Sequence, residues 1–189
     1  MGQRGKLDYE MHVQSVEEVD ESPDDFWDER YLGDGIELTE EDVELFVARS
    51  RAVLETQTLD ESATRTKIIT PFVSLLGWRV FHPEVALEYT SEALGGKDRA
   101  DYVLLDEDSH PAVVVEAKQE GAYLSGHEGQ LKRYMRNFGA ELGVLTNGES
   151  FRFLCSDPRS EVPEEVELLS CDLDVLPSKL DTLGLFSQA

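Results

Sequence analysis

The amino-acid sequence predicts a three-layer α/β fold, in which helices cover both faces of a small mixed sheet. The 189 residues are enough for one domain with a substantial hydrophobic core and appended segments. Apolar residues recur at helical spacing before residue 77, and short apolar runs of strand length follow it. The predicted order is helix, strand, strand, strand, helix, strand, which is typical of layered α/β domains.

Residues 1–38 are expected to form an acidic tail or arm, because they show no sustained hydrophobic period. The aromatic residues Phe26, Trp27 and Tyr31 could anchor this arm on the domain. The alternative is a poorly ordered terminus, which is common at the ends of domains.

Two helices are predicted after the arm. The first covers about residues 39–57, and Thr39 with Asp42 resembles a capping box at its start. The second covers about residues 61–76 and is broadly apolar in its later half. Pro71 must kink or divide this second helix, because proline removes a backbone donor.

Extended segments are expected beyond residue 78. The short apolar runs are residues 79–81, 85–89, 100–105, 112–117, 142–145 and 150–154. Residues 91–98 are predicted to be a loop, and a helix is predicted over about residues 128–138. The predicted domain therefore covers residues 39–155. The acidic extension over 156–189 carries one weak helix around residues 178–185.

The chain is strongly acidic, with a net charge of -23 and a pI near 4.3. One explanation is charge-driven disorder, and another is adaptation to a salt-rich cytoplasm. An apolar content of 40% favours salt adaptation for the core, and hence a halophilic, archaeal source. Residues 61–150 hold 9 of the 17 basic residues, so any contact with nucleic acid is expected there.

Cysteine usage and hydropathy indicate a cytoplasmic protein without a membrane segment. Cys155 and Cys171 show neither a metal-binding spacing nor a disulfide framework, which favours a reducing compartment. The first fifteen residues are too polar for a signal peptide, and no apolar run reaches membrane-spanning length.

The hairpin predicted over residues 100–117 carries the candidate chemistry. Asp101 starts its first strand, and Glu116 and Lys118 close the second, on one face of that strand. An antiparallel return brings these ends together. Two adjacent carboxylates repel each other unless a cation lies between them, and hard divalent cations prefer oxygen ligands. The alternatives are a polar residue at a strand end for Asp101 and an edge-strand ion pair for Glu116 and Lys118.

The helix over residues 128–138 carries a polar face at positions i, i+3, i+4 and i+7. This face consists of Gln130, Arg133, Tyr134 and Asn137. Its donors could bind phosphate oxygens, and Lys132 and Arg136 add positive charge beside it. The alternative is an ordinary solvated helix face.

Several segments together resemble one known nuclease group. They are D-E-S-A-T-R with the apolar run to Gly77-Trp78, V-F-H-P-E-V-A-L-E-Y, R-A-D-Y-V-L-L with V-V-V-E-A-K, Q-L-K-R-Y, and L-T-N-G. The set resembles the PD-(D/E)xK superfamily, and more narrowly the N-terminal nuclease domain of type I restriction enzyme R subunits. Q-L-K-R-Y is similar to the Gln-x-x-x-Tyr motif of RecB-like nucleases. The resemblance covers roughly residues 60–155.

The resemblance implies a restriction-endonuclease-like core of the order αβββαβ and a role for each matching residue. Asp101 and Glu116 would ligate Mg²⁺, which Mn²⁺ could replace, together with the Ala117 carbonyl. Lys118 would position or activate water, and Glu61 would support a metal-bound water or ligate the metal. Gln130 and Tyr134 would contact the substrate or brace the site, beside Arg133, Lys132 and Arg136. The residue before Asp101 is alanine instead of proline, a departure that the superfamily tolerates.

The expected function is therefore metal-dependent hydrolysis of DNA. The sequence lacks a Walker A motif, so the expected partners are DNA and restriction-modification subunits or a separate motor protein. A homo-oligomer is also possible. One alternative is a DNA-binding or regulatory module of the same fold with weak or no cleavage. Another is a structural or toxin–antitoxin-like partner that binds through its acidic arm.

Overall fold

The computed structural model describes residues 38–90, 99–156 and 164–188 as helices packed on both faces of a six-stranded mixed sheet. This arrangement confirms the predicted fold class. The predicted arm, with Phe26, Trp27 and Tyr31, and the predicted loop over 91–98 lie outside the described residues, except for residue 38.

The first helix, α1 (Glu40–Thr56), agrees with its prediction within one residue at each end. The Thr39 hydroxyl accepts a hydrogen bond from the Asp42 backbone N–H, and the Asp42 carboxylate accepts one from the Thr39 backbone in return. This capping box satisfies donors that the helix itself leaves without partners. Asp thus serves where Glu is the usual third residue.

The second helical run differs in kind from the predicted kink. It consists of α2 (Glu61–Thr64), a π-helical segment (Arg65–Ile69) and α3 (Thr70–Leu75). Proline at position 71 has no N–H for an i−4 bond, and the Thr70 N–H reaches back five residues to the Arg65 carbonyl. One wider turn therefore accommodates the proline. Gly77, with φ 86°, ends the run in the left-handed conformation, as glycine readily does.

The sheet has the strand order β1-β2-β3-β4-β5-β6. Its strands are β1 (Val85–Thr90), β2 (Arg99–Leu105), β3 (Pro111–Ala117), β4 (Leu142–Thr146), β5 (Ser150–Ser156) and β6 (Glu165–Asp172). Only β3 and β4 are parallel among these neighbouring pairs. Their crossover carries α4 (Glu128–Phe138), because a parallel connection must return across the sheet.

The extended segment predicted over residues 79–81 is wrong, since these residues form turns before β1. The His82 N–H donates to the Arg79 carbonyl, and the Val85 N–H donates to the His82 carbonyl. The Glu84 carboxylate accepts hydrogen bonds from both the backbone and the guanidinium of Arg79. A local side-chain acceptor thus favours turns over a strand at this position.

Strand β6 was not predicted, and it extends the sheet beyond residue 155. It is an edge strand whose residues are mostly exposed, so it lacks the apolar run that marked the other strands. A 3₁₀ segment (Leu173–Lys179) and α5 (Leu180–Gly184) follow it, where a weak helix was predicted. Phe186, beyond α5, is fully buried and its carbonyl accepts the Trp78 indole N–H.

Two hydrophobic cores lie on opposite faces of the sheet. The larger contains residues from α1, the second helical run, the sheet and the C-terminal segment, and the smaller contains residues of α4 and the sheet. Gly143 on β4 permits the close approach of α4, since a Cβ there would lie 2.5 Å from the Met135 sulfur. In the described ranges, we find no helix long and apolar enough to cross a membrane.

Candidate metal centre

The β2–β3 hairpin brings the two predicted acids together at one edge of the sheet. Tyr102 pairs with Val115, so Asp101 and Glu116 follow at the adjoining position of the antiparallel ladder. The Ala117 backbone N–H donates to Asp101 Oδ2 at 2.8 Å. The return strand therefore fixes one oxygen of the first acid, as the register of the hairpin requires.

Glu116 and Lys118 form a buried ion pair, with 2.6 Å between Lys118 Nζ and Glu116 Oε1. Their side chains are only 5% and 9% exposed, which identifies this pair as internal. The other oxygen, Glu116 Oε2, is buried and has no hydrogen-bond partner. Buried carboxylate oxygens are nearly always paired in folded proteins, so this open oxygen is available to a ligand.

Electrostatics at this pair favour an additional cation. Burial and the nearby charge of Asp101 raise the pKa of Glu116 to about 7, even though Lys118 acts in the opposite direction. Burial alone would lower the pKa of Lys118, but the hydrogen bond and charge of Glu116 outweigh it and raise that pKa. The lysine is therefore a cation that neutralises only part of the local negative charge.

Glu61 at the start of α2 also reaches this site, and its Oε2 lies 3.9 Å from Lys118 Nζ. Two hydrogen bonds hold α2 there. The Leu59 N–H donates to the Glu120 carboxylate at 2.7 Å, and the Glu120 N–H donates to the Leu59 carbonyl at 3.2 Å. The chain just before α2 is thereby joined to the segment just after Lys118.

Arg65 is a site residue that was predicted only as part of a general basic cluster. Its Nη1 lies 3.3 Å from Asp101 Oδ1 and 3.3 Å from Glu88 Oε1. The signal available in the sequence was its position four residues after Glu61, one helical turn away on the same helix face. Glu88 gave no such signal.

Gln130 and Tyr134 are hydrogen-bonded to each other, with 2.7 Å between Gln130 Nε2 and the Tyr134 hydroxyl. The Tyr134 ring is buried and stacks on Phe138, and the Arg133 guanidinium lies 5.4 Å from its centroid. These residues belong to α4, which packs on β3 and β4. Their predicted contact with substrate stays a prediction.

Lys132 and Arg136 have acidic partners away from the predicted carboxylates. Lys132 Nζ is 3.9 Å from Glu128 of the same helix. Arg136 Nε is 2.8 Å from the buried Glu165 carboxylate on β6, the far edge strand. A role for these two residues in DNA binding also stays a prediction, and both would have to leave or share an existing ion pair.

The side chains present suit a small hard cation with few protein ligands. In the described ranges, no three His, Cys, Asp or Glu side chains form a group that could hold a metal. Asp101 and Glu116 supply two carboxylates, and one of their oxygens is buried without a partner. Mg²⁺ in hydrolases of phosphate esters commonly takes one or two carboxylates and keeps several waters, so two acids fit its needs.

Comparison with known proteins identifies a family model that matches residues 60–169, described as "Type I restriction enzyme R protein N terminus". The match begins at the cap of α2 and ends within β6, so it contains Glu61, Asp101, Glu116 and Lys118. A search of curated proteins finds no match.

Two solved structures are similar in fold. The cryo-EM structure of a DrdV–DNA complex aligns with a TM-score of 0.56 at 18% identity, over 78% of this chain and 14% of that one. A fragment of a putative HsdR subunit of a type I restriction enzyme from Vibrio vulnificus YJ016 aligns at 25% identity with a TM-score of 0.44. That alignment covers 59% of this chain and 23% of the other. The chain thus spans a minor part of each matched protein.

Proposed function

This chain belongs to the family of type I restriction enzyme R protein N termini, and from that membership we propose that it is a Mg²⁺-dependent DNA endonuclease. Family membership implies a function related to restriction nucleases. The finer proposal adds a PD-(D/E)xK site, the metal, the hydrolytic reaction and the residues that perform it. It also places the chain in a salt-adapted protein that acts with other subunits or with a separate motor protein.

The observation that carries the proposal is the unpaired oxygen of a buried acid. Glu116 Oε2 is buried without a hydrogen-bond partner, beside Lys118 and across the hairpin from Asp101. A purely structural ion pair would leave no such oxygen, because an unsatisfied buried polar group destabilises the fold by about 1–3 kcal/mol. A site that must receive a cation keeps the oxygen open.

Asp101 and Glu116 would hold the Mg²⁺ ion, with the Ala117 carbonyl as a further ligand. Bound Mg²⁺ supplies a Lewis acid that neutralises charge on the phosphate and lowers the pKa of water. Lys118, fixed by Glu116 at 2.6 Å, directs a positive charge toward the scissile phosphate and orients the attacking water. Glu61, 3.9 Å from that lysine, accepts a hydrogen bond from the same water.

Substrate contacts are assigned to the exposed side of α4. Arg133 is exposed, and Gln130 is partly exposed, so both can donate to phosphate oxygens. Tyr134 is buried and braces Gln130 through its hydroxyl. Lys132 and Arg136 add positive potential near the same helix, although each already has an acidic partner.

The test is cleavage of supercoiled plasmid with Mg²⁺ and, in parallel, with EDTA. We expect the wild type to nick the plasmid only with metal, and Lys118→Ala to lower the rate at least about a hundredfold. Lys179→Ala, which removes a lysine from the C-terminal 3₁₀ segment, is the matched control and should cleave at the wild-type rate. Equal nicking by wild type and Lys118→Ala would contradict the proposal.

DNA binding in the same preparations separates the nuclease from a binding module. If both the wild type and Lys118→Ala retarded DNA in a mobility assay and neither cleaved it with Mg²⁺, the chain would be a DNA-binding module of this fold. Addition of purified restriction-system subunits then tests whether cleavage needs a motor partner.

A further inference from the structure

Arg65 lies between two carboxylates that come from neighbouring strands. One of its nitrogens, Nη1, is 3.3 Å from Asp101 Oδ1 on β2 and 3.3 Å from Glu88 Oε1 on β1. The Asp101 side chain is only 14% exposed, whereas that of Glu88 is 48% exposed. The guanidinium therefore links an internal acid of the candidate site to an acid at the surface.

Glu88 stands directly opposite Asp101 in the antiparallel register. Leu87 pairs with Tyr102 and Tyr89 pairs with Ala100, which leaves Glu88 and Asp101 facing each other across the two strands. Like charges at opposed positions are destabilising unless a cation is shared between them. Glu88 also has φ 50°, a left-handed conformation that is unfavourable for a residue with a side chain. The strained position is thus occupied by a partner of Arg65.

The backbone holds Arg65 firmly at this place. Its carbonyl accepts the Thr70 N–H and the Thr70 hydroxyl at 3.2 Å, and the Tyr102 hydroxyl lies 3.3 Å away. These bonds belong to the π-helical turn, and such turns are often found at functional sites. The wide turn and the β2 tyrosine together direct Arg65 toward Asp101.

We propose that Arg65 is the resident counter-ion of Asp101 and competes with the metal for this carboxylate, and that Glu88 sets the strength of the competition by holding the guanidinium. Arg65 is in this sense a positioning residue. The inference rests on the proposed metal-dependent function. It adds a specific control of metal affinity by two residues that would not ligate the metal.

The occupancy of the carboxylate oxygens supports competition at Asp101 in particular. Asp101 Oδ2 accepts the Ala117 N–H, and Oδ1 accepts from Arg65, so both of its oxygens are engaged. Glu116 differs, because its Oε2 is open. A divalent cation can therefore approach Glu116 directly, but at Asp101 it meets a fixed positive charge. The repulsion between the two cations disfavours metal binding until the guanidinium turns toward Glu88.

The experiment measures the affinity of the metal-free protein for Mg²⁺ by isothermal titration calorimetry, without DNA. Arg65→Met should bind Mg²⁺ about tenfold more tightly than the wild type, because the competing charge is gone. Arg65→Lys keeps the charge and should remain near the wild-type affinity. Glu88→Gln should bind about tenfold more weakly, because the guanidinium then pairs with Asp101 alone.

Arg99→Gln is the matched control. Arg99 also pairs with Glu88, at 3.5 Å, and its removal changes the net charge by the same amount as Arg65→Met. No contact joins it to Asp101 among the ion pairs of the described residues, so its Mg²⁺ affinity should stay near that of the wild type. Thermal unfolding of every variant confirms that the native fold is retained.

Opposite shifts for Arg65→Met and Glu88→Gln would support the inference. If Arg65→Met, natively folded, bound Mg²⁺ as the wild type does or more weakly, Arg65 would only orient Asp101 and the inference would be overturned alone. Failure of the wild type to bind Mg²⁺ or Mn²⁺ at all would overturn the proposed function together with it.

Discussion

Glu116 and Lys118 are the residues at which the proposed function and stability pull in opposite directions. An ion pair this deeply buried loses the hydration of both charges, and apolar side chains of similar volume commonly serve stability as well or better. The open Oε2 adds a further unsatisfied group. The pair is therefore expected to persist for chemistry and to contribute little net stability.

A double-mutant cycle in EDTA tests this expectation. Glu116→Gln and Lys118→Met should each destabilise the protein by about 3 kcal/mol, because each leaves a buried charge without its partner. The double variant should be at least as stable as the wild type, and it should not cleave DNA. The measurement is urea unfolding followed by circular dichroism. Additive losses in the double variant would mean that the pair is a true source of stability.

The residues of the hairpin could be predicted because their positions follow from strand register alone. An antiparallel return of known length places Asp101 near Glu116, and a spacing of two places Lys118 on the same face as Glu116. Arg65 could not be assigned to Asp101 in this way. Its contact depends on a π-helical turn and on an unusual φ at Glu88, and neither has a period that a sequence displays.

Among the elements, the segment before β1 shows how one carboxylate can decide local structure. Burial alone would raise the pKa of Glu84, but hydrogen bonds from the side chain and backbone of Arg79 outweigh it and hold this pKa at about 2. The ionised form is thus favoured in the folded protein over the ordinary value of 4.5. The turn over residues 79–84 is stabilised accordingly above that pH.

This shift gives a prediction with a definite sign. A depressed folded-state pKa stabilises the fold above about pH 4.5, and the contribution is lost as the pH falls toward 2. Glu84→Gln should therefore lower stability by about 1–2 kcal/mol at pH 7, a reduced figure because Arg79 is 41% exposed. The difference from wild type should shrink between pH 4.5 and 2 in urea titrations.

Glu107→Gln provides the control for the same titrations. It removes an exposed acid in the turn between β2 and β3, so its stability should follow the wild type at every pH. A Glu84→Gln variant that tracked the wild type across the whole range would contradict the role of the Arg79 pair.

Elements with a long apolar period were predicted well, and those formed by local or tertiary contacts were not. Helices α1 and α4 and the strands of the central hairpin agree with prediction within about one residue. Strand β6 was missed because it lies at the sheet edge and exposes most of its residues. The strand expected over residues 79–81 was wrong because Glu84 bonds to Arg79. Propensity alone contains neither piece of information.

At the scale of the whole molecule, the charge of -23 opposes the proposed binding of DNA. Phosphates and a carboxylate-rich surface repel each other, and at low salt that repulsion extends over tens of ångströms. Molar salt shortens its range to roughly 3 Å, while contacts inside the site are screened less. High salt should therefore assist this protein, although it weakens DNA binding by basic proteins.

Cleavage measured across KCl concentrations tests this expectation. We expect an activity optimum near about 1 M salt, where surface repulsion is screened. Circular dichroism at each concentration shows whether the chain is folded, which separates an effect on binding from an effect on stability. Maximal activity of folded protein near about 50 mM KCl would contradict adaptation to high salt.

The metal centre on the β2–β3 hairpin is the central claim, and diffraction from crystals soaked in Mn²⁺ tests it most directly. Mn²⁺ binds the same oxygen ligands as Mg²⁺ and gives an anomalous signal that identifies the ion. We predict one anomalous peak within coordination distance of Asp101 and of Glu116 Oε2, with Lys118 beside it. A saturated soak that left these carboxylates without an ion, or placed Mn²⁺ only elsewhere, would contradict it.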